Sequence, residues 1–244
     1  MGHSMSDLLM ALVIALVLPN AACMGRQSAG TPVPPTDSTV TAPHGVATLD
    51  GTLSSGEWTG AYTDSLHGGG QIRLMHEGGY LYVGVRRREI PVVTVCLDRG
   101  DTVAVLHSSA ALGTAWFRRA QGGWNIARGF TWELRDSTMS AGAQQEREAY
   151  LRREGWVATI AYMGARTDTE FKIAMRSGRV RLAVTPMSVG GSHEETAWWP
   201  GRNTDGCRTR DLLTGTAPAR LQFAPAGWVT VVAGPQRGST RPVR

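Results

Sequence analysis

The chain has 244 residues, 42% of them hydrophobic and 18% charged, with 30 glycines and 12 prolines. That length and composition provide for one sizeable buried core and exclude both a wholly disordered chain and a polytopic membrane protein. The formal charge is +5, yet Lys172 is the one lysine and the arginines are scattered, with Arg86-Arg87-Arg88 the longest run. A nucleic-acid surface gathers its cations into a block or stripe, so no nucleic-acid partner is expected.

Leu8 to Leu18 is an apolar run ended by Pro19, the length of a signal-peptide core and too short to span a bilayer. Ala21-Ala22-Cys23 follows and resembles the lipobox of bacterial lipoproteins, in which the cysteine is lipidated and becomes the mature N-terminus. Cleavage after Ala22 as an ordinary signal peptide is the alternative, and both predict export. Residues 1–22 are then a signal peptide and residues 23–45 an anchor site and tether, since Ser28 to His44 is dense in Pro, Thr and Ser without hydrophobic periodicity. The folded domain is expected over residues 46–233, and residues 234–244 read as a flexible tail.

Within the domain the residues read as strands. Gln71 to His76 and Tyr80 to Arg86 alternate around a Glu77-Gly78-Gly79 turn, and Val92 to Leu97 and Thr102 to His107 alternate around Asp98-Arg99-Gly100-Asp101. Further strands are expected at Thr114 to Arg118, Phe130 to Arg135, Trp156 to Tyr162, Glu170 to Met175, Arg179 to Thr185 and Arg220 to Phe223. Ala141 to Glu154 is rich in Gln, Glu, Arg, Ala and Leu and is followed by Gly155, so one helix is expected there. Many short strands with one short helix predict an all-β, antiparallel β-sandwich.

Leu49-Asp50-Gly51-Thr52-Leu53 with Gly56-Glu57-Trp58 resembles the opening of the carbohydrate-binding module family 9-like domains, relatives of the DOMON superfamily. The hairpin from Ile72 to Arg86, the stretch Thr169 to Ala174 and the segment Glu195 to Pro200 resemble later elements of that family, in order. The resemblance implies a β-sandwich with a ligand groove on one face or edge and a carbohydrate or envelope polysaccharide as partner. Some DOMON relatives bind haem b through Met with His or Lys. On that alternative reading, an electron-transfer protein, Met75, Met163, Met175, His76, His107 and Lys172 are the residues available. A structural envelope scaffold is the third reading.

Catalytic signatures are missing from the sequence: there is no HExxH, P-loop, GxGxxG or GxSxG. His67-Gly68-Gly69-Gly70 lacks the lysine and helix of a phosphate cradle and reads as a loop. His107-Ser108-Ser109 has no identifiable acid partner. Asp98 and Asp101 flank Gly100 and are the candidate oxygen ligands for Ca²⁺, against a plain turn-forming role.

Eight tryptophans against four phenylalanines is an unusual ratio. Trp58, Trp132 and Trp156 read as core, while Trp116, Trp124 and Trp228 are left open. Trp198 and Trp199 precede Pro200-Gly201 and are the candidate sugar platform, with Arg202, Asn203 and Asp205 to hydrogen-bond hydroxyls. The rival reading packs both rings at the sandwich edge. Besides Cys23 the chain has Cys96 and Cys207, which export would expose to an oxidising compartment; a disulfide between them is one reading, and Cys96 as a small buried hydrophobe with Cys207 a loop thiol is the other.

Overall fold

Alternating apolar residues on short segments bury one face each, and the chain meets that need by stacking two sheets. The computed structural model describes residues 38–88, 91–135, 140–160, 168–188, 195–201 and 206–235. The apolar run Leu8 to Leu18, Cys23, Met163, Arg202, Asn203 and Asp205 lie outside them. In chain order the elements are β1 (Thr39–Ala42), β2 (Tyr62–Ser65), β3 (Gln71–Glu77), β4 (Tyr80–Arg86), β5 (Pro91–Asp98), β6 (Thr102–Ser108), β7 (Leu112–Ala120), β8 (Gly123–Glu133), α1 (Ala141–Glu154), β9 (Trp156–Ala158), β10 (Asp168–Ala174), β11 (Arg179–Ser188), β12 (Glu195–Thr196), α2 (Arg210–Leu213), β13 (Arg220–Leu221) and β14 (Val229–Ala233).

The large sheet runs β1-β14-β11-β5-β6-β7-β8-β13, with β12 paired to the far end of β11, and the small sheet runs β2-β3-β4-β10-β9. The protein is an all-β sandwich with, among the described residues, one helix of substantial length, as its alternation pattern predicts. Its strand pairs are antiparallel apart from β1 with β14, which is parallel.

That parallel pair corrects one expectation. Thr39–Ala42 falls in the stretch assigned by composition to the tether, but it adds to the exposed edge of β14, with Ala42 fully buried and Val40 packed on the core. The fold therefore begins before Val46. A four-residue strand inside a Pro/Thr/Ser-rich stretch has too little periodicity to announce itself; its partner edge creates it.

The β3–β4 hairpin closes through Gly78 and Gly79 at φ 59° and 81°, the positive angles a two-residue turn demands. The predicted helix spans the residues expected. Ser140 caps it by accepting from the Ala143 N–H, and Gly155 ends it at φ 76°. Its Tyr150 bridges the sheets, meeting Thr114 of β7 at 3.2 Å and Trp156 of β9 edge-on at 5.5 Å.

Three apolar layers result. The central one lies between the sheets and holds Ile72, Leu74, Leu81, Val83, Val95, Leu106, Phe171, Ile173, Leu182 and Val231. A second covers the outer face of the large sheet, where Leu212, Leu221, Phe223 and Trp228 pack on Val103, Val105 and Phe117. A third covers the outer face of the small sheet with Ala47, Leu53 and Trp58 over Met75 and Tyr82.

Candidate functional site

The motif residues carrying the family resemblance hold that third layer down. Glu170 on β10 points outward, where its Oε2 accepts from the Asp50 and Gly51 backbone N–H groups at 3.0 and 2.7 Å. Its Oε1 accepts from the Trp58 indole at 3.1 Å. Asp168, two residues earlier, accepts from the Leu53 N–H at 2.8 Å and from Arg86, whose guanidinium also reaches the Leu53 carbonyl. Gly84 leaves room for this: a Cβ there would stand 2.5 Å from Leu53 Cδ2. Burial pushes the Glu170 carboxyl up to about 7, against the pull of its hydrogen bonds from Gly51 and Trp58. These residues build the fold, and Trp58 is core as expected.

The Trp198–Trp199 pair behaves as neighbours in extended backbone must, with one ring in and one out. Trp199 is 2% exposed and donates its indole N–H to Asp64 at 2.9 Å. It is a core residue, which removes it from the predicted platform. Trp198 is half-buried, with the His67 ring 4.0 Å and the Arg208 guanidinium 3.4 Å from its centroid. Its π surface is already taken up. Arg202, Asn203 and Asp205 lie outside the described residues.

Asp98 and Asp101 form a turn and do not converge on a cation. Asp98 Oδ1 accepts from the Gly100 N–H at 2.8 Å, its Oδ2 faces Arg181 at 3.8 Å, and Arg99, Arg176 and Arg179 crowd the same place. That field opposes a divalent cation. Among the described residues no three His, Cys, Asp or Glu side chains converge as a metal site would need.

Of the residues considered for haem, the described ones are engaged elsewhere. Lys172 Nζ lies over the Tyr80 and Tyr82 rings at 4.6 and 5.5 Å, and Met75 is buried beneath Gly45, both on the outer face of the small sheet. His76 Nε2 bonds the Gly234 carbonyl at 2.9 Å, Met175 packs into the central layer, and His107 faces outward from the large sheet. Aliphatic and aromatic side chains fill the space between the sheets.

The cover of the large sheet frames the cleft. Cys96 on β5 and Cys207 are joined by a disulfide with a Cα–Cα distance of 6.1 Å, pinning the segment that leads into α2 against the sheet. Beyond α2, among the described residues, a cavity of about 410 Å³ opens between Val92, His107, Ser109, Trp132, Arg135 and Thr214.

Trp132 is its aromatic wall. Register shifts on either side of Trp116 insert extra residues into β8, and beyond them Phe130 and Trp132 stand on the outer face, stacked at 5.1 Å. The Trp132 ring rests on two glycines: a Cβ would meet it at 2.7 Å on Gly113 and at 2.8 Å on Gly215. Trp132 is partly exposed and lines the cleft, which corrects its assignment to the core. The indoles of Trp58, Trp124, Trp156, Trp198 and Trp199 donate to protein acceptors. That of Trp132 has none among the described residues.

His107 forms the floor of the cleft, edge-on to Trp132 at 5.2 Å and with Nδ1 3.2 Å from Thr94 Oγ1. Burial holds its pKa down at about 4, with a hydrogen bond to the Leu212 backbone working the other way, so near neutrality the ring is uncharged. An aromatic wall, a neutral imidazole, two hydroxyl side chains and one cation at the mouth suit a polyhydroxylated ligand better than a strongly charged one.

No protein-family model matches the chain, and no curated protein matches it. Among solved structures the chain resembles a "putative carbohydrate-binding protein" of Bacteroides uniformis ATCC 8492, with 9% identity and a TM-score of 0.43 over 82% of this chain and 100% of that one. A likeness so distant leaves site and ligand to be read from this chain's own residues.

Proposed function

We propose that this chain is a non-catalytic carbohydrate-binding module, exported and tethered to a bacterial envelope through Cys23, with Trp132 as its sugar platform. The observation that carries the reading is the half-buried Trp132 ring, backed by Gly113 and Gly215 and with no acceptor for its indole N–H among the described residues, in a cleft of about 410 Å³. A flat apolar ring accepts the C–H face of a pyranose, while Ser109, Thr214 and Arg135 offer partners for its hydroxyls. Export is supported by the Leu8 to Leu18 run and by the Cys96–Cys207 disulfide, which suits an oxidising compartment.

A glycan array probed with wild type, Trp132→Ala and Trp198→Ala tests the reading. The expected result is retention of a defined set of sugars by wild type and Trp198→Ala, and its loss in Trp132→Ala while that variant still melts cooperatively. Silence of wild type across the array, or equal retention by Trp132→Ala, contradicts it.

A further inference from the structure

At the other end of β5 and β11 lies a second cleft, of about 280 Å³, lined by Asp98, Arg99, Arg176, Arg179, Arg181 and Thr230. Four guanidinium groups face one carboxylate there. Arg181 and Asp98 form the floor, Arg181 donating to Thr230 Oγ1 at 3.2 Å and approaching Asp98 at 3.8 Å. Arg99, Arg176 and Arg179 make no ion pair among the described residues. Arg176 and Arg179 sit directly opposite each other across a tight turn through Ser177 at φ 53° and Gly178 at φ 68°. Like charges in that register repel, and a non-glycine residue at positive φ adds strain. Burial and the neighbouring Arg176 charge both lower the pKa of Arg99, so the excess positive charge is felt within the cleft.

We propose that this cleft binds a phosphate group. A planar carboxylate offers two oxygens and one negative charge, enough for a single guanidinium fork. A phosphate monoester offers three oxygens and up to two charges, which can accept from Arg99, Arg176 and Arg179 approaching from the two turns. The same chemistry is presented by free phosphate and by an anionic lipid headgroup. This site is separate from the Trp132 cleft, since six residues of extended β5 between Val92 and Asp98 span about 20 Å.

The test uses the full chain and an Arg176→Gln/Arg179→Gln double variant, both positions being exposed, with melting curves to confirm that each folds. Inorganic phosphate is titrated calorimetrically in a chloride buffer. In parallel, phosphatidylcholine vesicles with and without phosphatidic acid are sedimented with each protein. Saturable phosphate binding, weakened about tenfold or more in the double variant, supports the site with a free anion as source. Binding to phosphatidic-acid vesicles alone, lost in the double variant, supports it with a headgroup as source. Absence of both, or binding that the double variant retains, overturns it. If the double variant melts early, Arg99→Gln repeats the comparison.

Discussion

Glu170 and His107 are buried ionisable groups whose environments favour the neutral form near neutral pH, and they work in opposite directions. Glu170 has a folded pKa of about 7 against a reference of 4.5. Its neutral form is favoured by folding, so its contribution is complete below pH 4.5 and is lost as pH rises through 7. His107 has a folded pKa of about 4 against 6.5, so its contribution is complete above pH 6.5 and is lost as pH falls through 4. Each spans on the order of 3 kcal/mol, and between pH 4.5 and 6.5 they largely cancel. Glu170→Gln should therefore uncover stability that rises with pH across this window. His107→Gln should uncover stability that falls. Denaturant titrations at several pH values check both, and parallel curves for all three proteins would contradict the opposed pair. Neither shift was legible in sequence: Glu170 stood inside a family-like stretch, but its hydrogen-bonding partners are about 120 positions away.

Two covers decide what the outer faces of the sheets present. On the small sheet, Gly84→Ala would place a Cβ 2.5 Å from Leu53 Cδ2 and lift the Leu49 to Trp58 segment. The expected cost is about 1–3 kcal/mol, read as a lowered midpoint in chemical denaturation; an unchanged midpoint would show that Leu53 yields freely. On the large sheet, the Cys96–Cys207 disulfide closes a separation of 111 positions. Replacing both cysteines with alanine should cost about 2–5 kcal/mol. It should also weaken ligand retention, because α2 supplies the Thr214 side of the cleft. Thiol counting under denaturing, non-reducing conditions should find neither cysteine free. At this scale the sequence was informative where periodicity was strong, as in the β3–β4 hairpin and α1. It was uninformative where a neighbour creates the element, as for β1. The two extra residues in β8 leave Trp124, Ile126, Phe130 and Trp132 on the same outer face, so a place in a strand did not tell whether Trp132 meets a covered or an open part of that face, and the exposed ring was sought at Trp198 and Trp199.

At the scale of the whole molecule, the sandwich carries two clefts at opposite ends of the same strands. If Cys23 is the anchor, wild type should partition with membranes and require detergent for release, whereas Cys23→Ser should appear in the soluble exported fraction. Recovery of wild type in that soluble fraction would contradict anchoring. Composition and alternation made the all-β class legible, because burying one face of each short strand leaves few other architectures. The cleft was not legible. It is assembled from β5, β6, β8 and the segment after α2, and only folding brings His107, Trp132 and Thr214 together.

The central claim is that Trp132 meets the sugar. Its most direct measurement is the ¹H–¹⁵N spectrum of the tryptophan indoles during titration with a sugar retained on the array, with the Trp132 signal assigned from Trp132→Phe. The account predicts a saturable shift of the Trp132 indole N–H, which has no protein acceptor among the described residues, while the Trp199 signal, bonded to Asp64, stays in place. A saturable shift of the Trp198 signal with Trp132 unmoved would contradict it.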